Sequence, residues 1–177
     1  MVYMLKTSCA KKAKTEGLLM PELLTKKIIE EIEQAPELYH RLVLVVAPSG
    51  SGKTSALREV QQSVGAPLVN VNLEVSRRML DLTARQRALQ VPSLLENILR
   101  EVESEVVLLD NMEILFEVSL QQDPLRLLQG LSRNRTIVAT WNGEIKDNFL
   151  IYANPEHPEY HRYPGTEIIA VEADLPS

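Results

Sequence analysis

The residues best placed to do chemistry fall in two short stretches, APSGSGKT at 47–54 and VVLLDNMEILF at 106–116. The first is suited to holding phosphate. Gly50 and Gly52 let the backbone curl so that successive N–H groups point inward as an anion nest. Lys53 supplies a point charge for the β- and γ-phosphates of a nucleotide, and the Thr54 hydroxyl can ligate Mg²⁺. An apolar run precedes the glycines and a helical pattern follows Lys53, so a helix presents its positive end to the same phosphates. This is the context the P-loop pattern demands. The one departure is Ala47, where glycine is usual. Pro48, Ser49, Gly50, Ser51, Gly52, Lys53, Thr54 and Ser55 are the expected nucleotide-binding set, with ATP and Mg²⁺ as ligands.

The second stretch reads as a buried strand that delivers one carboxylate, Asp110, to the sheet edge where open parallel sheets bind ligands. There it would hold the magnesium through water, the Walker B role, with Thr54 as the other metal ligand. In many nucleotide hydrolases the next residue is a glutamate that activates water. Here it is Asn111, whose amide has no basic oxygen near neutral pH. A base must come from elsewhere, or turnover must be slow. Glu113 lies two residues beyond the usual site, and its bland alternative is an acid in a first helical turn. Glu74 follows the second predicted strand and is the preferred candidate, because a strand end must fall at the ligand edge. Its bland alternative is an ion pair with Arg77 or Arg78.

The elements that must position these groups alternate. Pro21 opens a helix with Leu24, Ile28 and Ile32 on one face, and Pro36 ends it. LVLVVA at 42–47 is a strand buried on both sides. A helix over 53–64, closed by Gly65, follows the glycine turn. Further strands are predicted at 68–73, 105–110, 135–140 and 166–171, and a short strand or hairpin arm at 149–153. Pro92 and Ser93 are expected to open a helix, with Ser93 and Glu96 as its capping box. Asp123 and Pro124 open another, running to about Ser132. The segment 154–165, NPEHPEYHRYPG, reads as a loop. The expected fold is a single α/β domain over 21–177, a three-layer sandwich with a mostly parallel sheet of about five core strands.

Composition adds limits. The chain has 177 residues, 45% apolar and 24% charged, ordinary globular values. No apolar run approaches the length of a membrane span. A net charge of −5 gives no overall attraction to nucleic acid. The single cysteine, Cys9, fits a reducing cytoplasm. Residues 1–20, with Lys6, Lys11, Lys12 and Lys14, read as a frayed basic arm.

The order of elements is similar to the additional-strand division of P-loop NTPases, which includes AAA+ and RecA-like ATPases. That resemblance implies that the fourth strand lies between the P-loop and Walker B strands, and that a polar residue at its tip, Thr140 or Asn142, senses the γ-phosphate. It also implies the Glu74 position as the RecA-like catalytic glutamate. The chain stops soon after its last strand, so the helical lid of AAA+ proteins is expected to be missing. VNLEVSRRMLDL, RQRALQVPSLLENIL, VVLLDNMEILF, QDPLRLLQGLSRNRTIVATWNG and NPEHPEYHRYP together resemble the BrxF family, small P-loop proteins encoded in type 3 BREX phage-defence loci of bacteria. The similarity covers roughly residues 40–170, and the run from Gln122 to Gly143 is its most specific part. It implies a cytoplasmic ATPase-like component of an antiviral complex with other BREX proteins as partners.

Arginines offer further readings. Arg133 and Arg135 flank the start of the fourth strand, and either is a candidate arginine finger offered to a neighbour's nucleotide in a homo-oligomer. Their bland readings are a helix C-terminal cation and solvated surface. Arg77, Arg78, Arg85 and Arg87 could grip DNA phosphates, but they lack interleaved aromatics, so DNA contact is expected to be indirect. His157 and His161 sit among prolines that discourage a helix, which makes a metal site a weak idea. Three functions result: an oligomeric ATPase motor or switch in a defence complex, a nucleotide-gated assembly or DNA-binding module with little turnover, and a small-molecule kinase. The kinase ranks third, because the 77–87 arginines precede the Walker B strand, whereas a kinase lid comes late in the chain.

Overall fold

The computed structural model describes residues 6–7, 20–165 and 169–173. Its elements in chain order are β1 (Lys6–Thr7), α1 (Met20–Gln34), β2 (Leu42–Ala47), α2 (Lys53–Val64), β3 (Leu68–Asn70), α3 (Val71–Arg78), α4 (Ala84–Glu101), β4 (Val106–Asp110), α5 (Pro124–Leu131), β5 (Thr136–Lys146), β6 (Phe149–Tyr152), β7 (His161–Pro164) and β8 (Ile169–Glu172). Two 3₁₀ turns, Glu113–Phe116 and Val118–Leu120, connect β4 to α5. Of the basic arm, Lys6–Thr7 pair with β8, and its other residues up to Leu19 lie outside the described residues.

The sheet runs β1-β8-β2-β5-β4-β3, and these pairings are parallel. The strand carrying Thr140 therefore sits between the P-loop strand and the Asp110 strand, as the element order implied. All six residues of β2 are buried, and they alternate between two cores. Val43 and Val45 join Leu24, Ile28 and Ile32 of α1 and Ala56, Leu57 and Val60 of α2. Leu42, Leu44 and Val46 face the layer built by α3, α4 and α5. A parallel strand covered on both faces requires this unbroken apolar run. The result is an α/β three-layer sandwich.

Register levels the functional ends. Ala47 of β2 stands opposite Asn142 of β5, and Asn70 of β3 opposite Asp110 of β4. The carboxyl ends of the central strands thus meet at one edge.

Four local expectations are corrected. The predicted strand over 68–73 stops at Asn70, whose side chain accepts the N–H of Leu73 at 3.0 Å and caps α3. Val71, Val75 and Met79, all buried, recur at helical spacing, so the helix buries what a longer strand would expose. Next, α4 begins at Ala84, eight residues before Pro92, behind a reciprocal Thr83–Gln86 capping box. The strand expected over 135–140 continues to Lys146 and folds back through Asp147 and Asn148, both at positive φ, into β6. Two left-handed residues suit a tight hairpin, and Asp and Asn tolerate that conformation. Finally, residues 161–164 of the expected loop pair with β6 as β7.

Pro92 lies inside α4, where it cannot donate to the carbonyl of Ala88 four residues earlier. The side-chain amide of Gln122 donates to that carbonyl instead, at 2.8 Å, and to the Leu120 carbonyl at 2.5 Å. The helix thereby survives the proline. Gln122→Ala is expected to lower unfolding free energy by about 1–3 kcal/mol, the cost of an unsatisfied carbonyl. Adding Pro92→Ala, which restores the N–H donor, should recover part of that loss in denaturant melts. Equal midpoints for Gln122→Ala and the parent would refute the substitution of one donor for the other.

Candidate functional site

The cleft at the carboxyl edge has a volume of about 310 Å³ and is lined by Ser49–Thr54, Asp110, Asn111, Glu113, Thr140 and Asn142. Gly50 and Gly52 have φ of 79° and 85°, a left-handed conformation that glycine enters with no steric cost. Gly52 is the N-cap of α2. The twelve-residue helix directs its free N–H groups and positive end into the cleft.

Lys53 is buried, and its ammonium donates to the carbonyls of Ala47 (2.7 Å) and Pro48 (2.6 Å) and to Ser51 Oγ (3.3 Å). Burial pulls its pKa below the ordinary lysine value, while Asp110 and Glu113 oppose that shift by favouring the cation. Pro48 enters the site through this carbonyl. Ser55 is exposed on α2 and is not among the residues lining the cleft.

Asp110 is 5% exposed. Its Oδ1 accepts from the Thr140 hydroxyl at 3.0 Å, which orients the carboxylate at the end of β4. The second carboxylate oxygen and the Thr54 hydroxyl, on the same cleft, make a hard oxygen donor set of the kind Mg²⁺ takes. Thr140 and Asn142 lie two apart on β5 and share one face. Asn142 Nδ2 donates to Glu113 Oε1 at 2.5 Å.

Glu113 is the first residue of its 3₁₀ turn. Its other oxygen, Oε2, accepts from Asn72 Nδ2 at 3.2 Å. Asn72 also accepts from the Ile114 N–H at 2.8 Å, and its own N–H donates to the Asn111 carbonyl at 2.9 Å. Asn72 was not legible as a site residue: a polar residue beside a helix N-cap has many ordinary uses. Its role follows from β3 lying beside β4. Tyr152 is close enough for Glu113 to act on it. Burial, with Glu159 and Glu113 nearby, pushes the phenol up to about 12.

The structure places Glu74 differently from its expected strand end. It lies in the first turn of α3, and its carboxylate meets Arg78 at 2.5 Å and Arg77 at 3.6 Å. Arg78 continues to Glu101 of α4 at 2.6 Å. Glu74 does not line the cleft.

Arg133 and Arg135 lie at the start of β5, as read from the sequence, and away from the phosphate edge. Both precede β5, and the amino end of a parallel strand lies opposite the phosphate edge. Arg135 donates to the Leu99 (2.5 Å) and Val102 (3.1 Å) carbonyls and so caps the end of α4. Arg133 is exposed, with its guanidinium 5.8 Å over the Tyr39 ring. The His157 and His161 idea gains nothing: no metal-binding group of three His, Cys, Asp or Glu forms among the described residues. Nor is any described helix long and apolar enough to cross a membrane.

No curated protein matches the chain. Among solved structures, one titled "Structure of C. elegans PCH-2" is similar over 86% of this chain and 42% of that chain, at 16% identity and a TM-score of 0.43. This chain thus spans less than half the length of that protein. Residues 43–142 match the family described as "ATPase family associated with various cellular activities (AAA)". The matched span begins in β2 and ends at Asn142 of β5, taking in the phosphate loop, Asp110, Glu113 and Thr140. With more than half of its length so matched, and with that cleft at its sheet edge, the chain belongs to the AAA family of ATPases.

Proposed function

We propose that this protein binds ATP with Mg²⁺ in the 47–54 cleft and hydrolyses it slowly, with Glu113 as the water-activating carboxylate. The observation that carries the reading is the convergence of Lys53, Asp110, Glu113, Thr140 and Asn142 on one cleft with the phosphate loop. Thr54 and Asp110 would hold the magnesium, which supplies charge neutralisation for the phosphates. Glu113 would take a proton from water as the water oxygen bonds to the γ-phosphorus. The bond to the bridging oxygen breaks with its electron pair staying on ADP. Asn72 and Asn142 orient the carboxylate, and Thr140 orients Asp110.

The cellular setting belongs to the same proposal. The resemblance of residues 122–143 to the BrxF family supports a subunit of a bacterial anti-phage complex acting as an oligomeric motor or switch. Among the described residues lining the cleft, Lys53 is the one cation. Transferred phosphoryl groups are commonly stabilised by a second, often from a neighbouring subunit. Arg133 is exposed and so remains available to a neighbour, whereas Arg135 is engaged within its own chain.

ATP–Mg²⁺ at about 100 times its Kd should stabilise the fold by about 2.7 kcal/mol, read as a rise in Tm, and phosphate release should accompany it. Native mass spectrometry with and without ATP–Mg²⁺ reports the assembly. No shift in Tm would sink the nucleotide reading. A shift without phosphate release, alone or with partner proteins, would favour a nucleotide-gated module instead.

A further inference from the structure

We propose that Asn111 is a positioning residue whose left-handed backbone, rather than its side-chain amide, brings Glu113 to the cleft. The proposal rests on the reading of Glu113 as the water-activating group. Asn111 has φ of 53°, directly after the last residue of β4. In an extended strand, residue 111 would share the face of Leu109, which is buried in the core beneath α3, α4 and α5. The left-handed step breaks that alternation. Met112 then turns into the core at 2% exposure, and Glu113 opens the 3₁₀ turn with its carboxylate in the cleft.

The step is held from β3 and α3. Asn72 receives this turn at three places: its N–H bonds the Asn111 carbonyl, its amide NH₂ bonds the Glu113 carboxylate, and its amide oxygen bonds the Ile114 N–H. The first of these bonds needs the Asn111 carbonyl turned toward α3. Among residues with a side chain, asparagine is one of the few that enters the left-handed region readily. The amide that cannot serve as a base is thus a residue type the backbone favours. A glutamate at 111 would strain the turn and would still leave the carboxylate of Glu113 in the gripped position.

Three variants test this in phosphate-release assays with ATP–Mg²⁺ and in denaturant melts. Asn111→Ala should lower kcat by about fivefold to tenfold with little change in KM, because alanine resists the left-handed conformation. Asn111→Gly, which enters it freely, should turn over faster than Asn111→Ala and unfold at a higher denaturant midpoint. Asn111→Glu combined with Glu113→Gln should be as slow as Glu113→Gln alone. Glycine as slow as alanine would overturn the proposal by showing that the amide itself is needed. Regained turnover in the double variant would overturn it by showing that an acid at 111 serves. If the parent protein releases no phosphate, the reading of Glu113 falls separately. The melts still decide the backbone claim, and equal midpoints for the alanine and glycine variants overturn it.

Discussion

Lys53→Ala is expected to weaken ATP–Mg²⁺ binding by about 100-fold or more and to abolish the thermal stabilisation that ATP confers. The ammonium is the one cation among the described residues lining the cleft, and charge-assisted contacts to phosphate are the strong ones. The loss of affinity is measured apart from any loss of fold. Lys53 bonds the carbonyls of Ala47 and Pro48, so its removal also frees two acceptors beside the glycine turn. The Ala47 carbonyl is buried, so stability without nucleotide should also fall, by about 1–3 kcal/mol, the cost of an unsatisfied acceptor. Titration calorimetry reads the affinity, and melts with and without ATP read the linkage. Equal affinity in the variant would rule out the 47–54 cleft as the phosphate site.

Glu113→Gln is expected to keep ATP bound and cut phosphate release by about 10²-fold or more, the scale of a lost general base. Glutamine keeps one oxygen to accept from Asn72 Nδ2, and Asn142 can turn its amide to accept from the new NH₂, so the turn should hold while the proton acceptor disappears. Glu74→Gln should change turnover far less. Its carboxylate is held by Arg78 and Arg77 away from the cleft lining, and its loss would loosen the α3–α4 contact through Arg78 and Glu101. Side-by-side single-turnover assays at saturating ATP decide between them. A larger loss in Glu74→Gln would return the base to α3 and require that helix to move in the active state.

The sequence alone was enough to place the phosphate loop, because its chemistry is local. Glycines at 50 and 52, a lysine and a hydroxyl in consecutive positions, and an apolar strand before them leave few alternatives. Asp110 was legible for the same reason, as was α2 from Lys53 to its glycine stop. Two elements differ from expectation although their local signals are present in the sequence. Asn70 with Val71, Val75 and Met79 carries a cap and a helical spacing. The Thr83 and Gln86 pair carries a capping box that starts α4 ahead of Pro92. The cost of that proline is offset by Gln122, more than thirty residues away from Ala88, and no local pattern announces such a donor.

Which carboxylate lines the cleft was decided by the tertiary structure. Glu74 and Glu113 are both glutamates just past strands. What separates them is a left-handed residue at 111, a helix where a strand was expected at 71, and the β3–β4 pairing that brings Asn72 to the Glu113 turn. The arginines show the same division. Their place before a strand was visible in the sequence, but the partner carbonyls of Leu99 and Val102 that engage Arg135 come from a helix whose end meets β5 only in the folded layer. Side-chain direction depends on a few backbone dihedrals and on neighbours distant in sequence, and those are fixed when the sheet order is fixed.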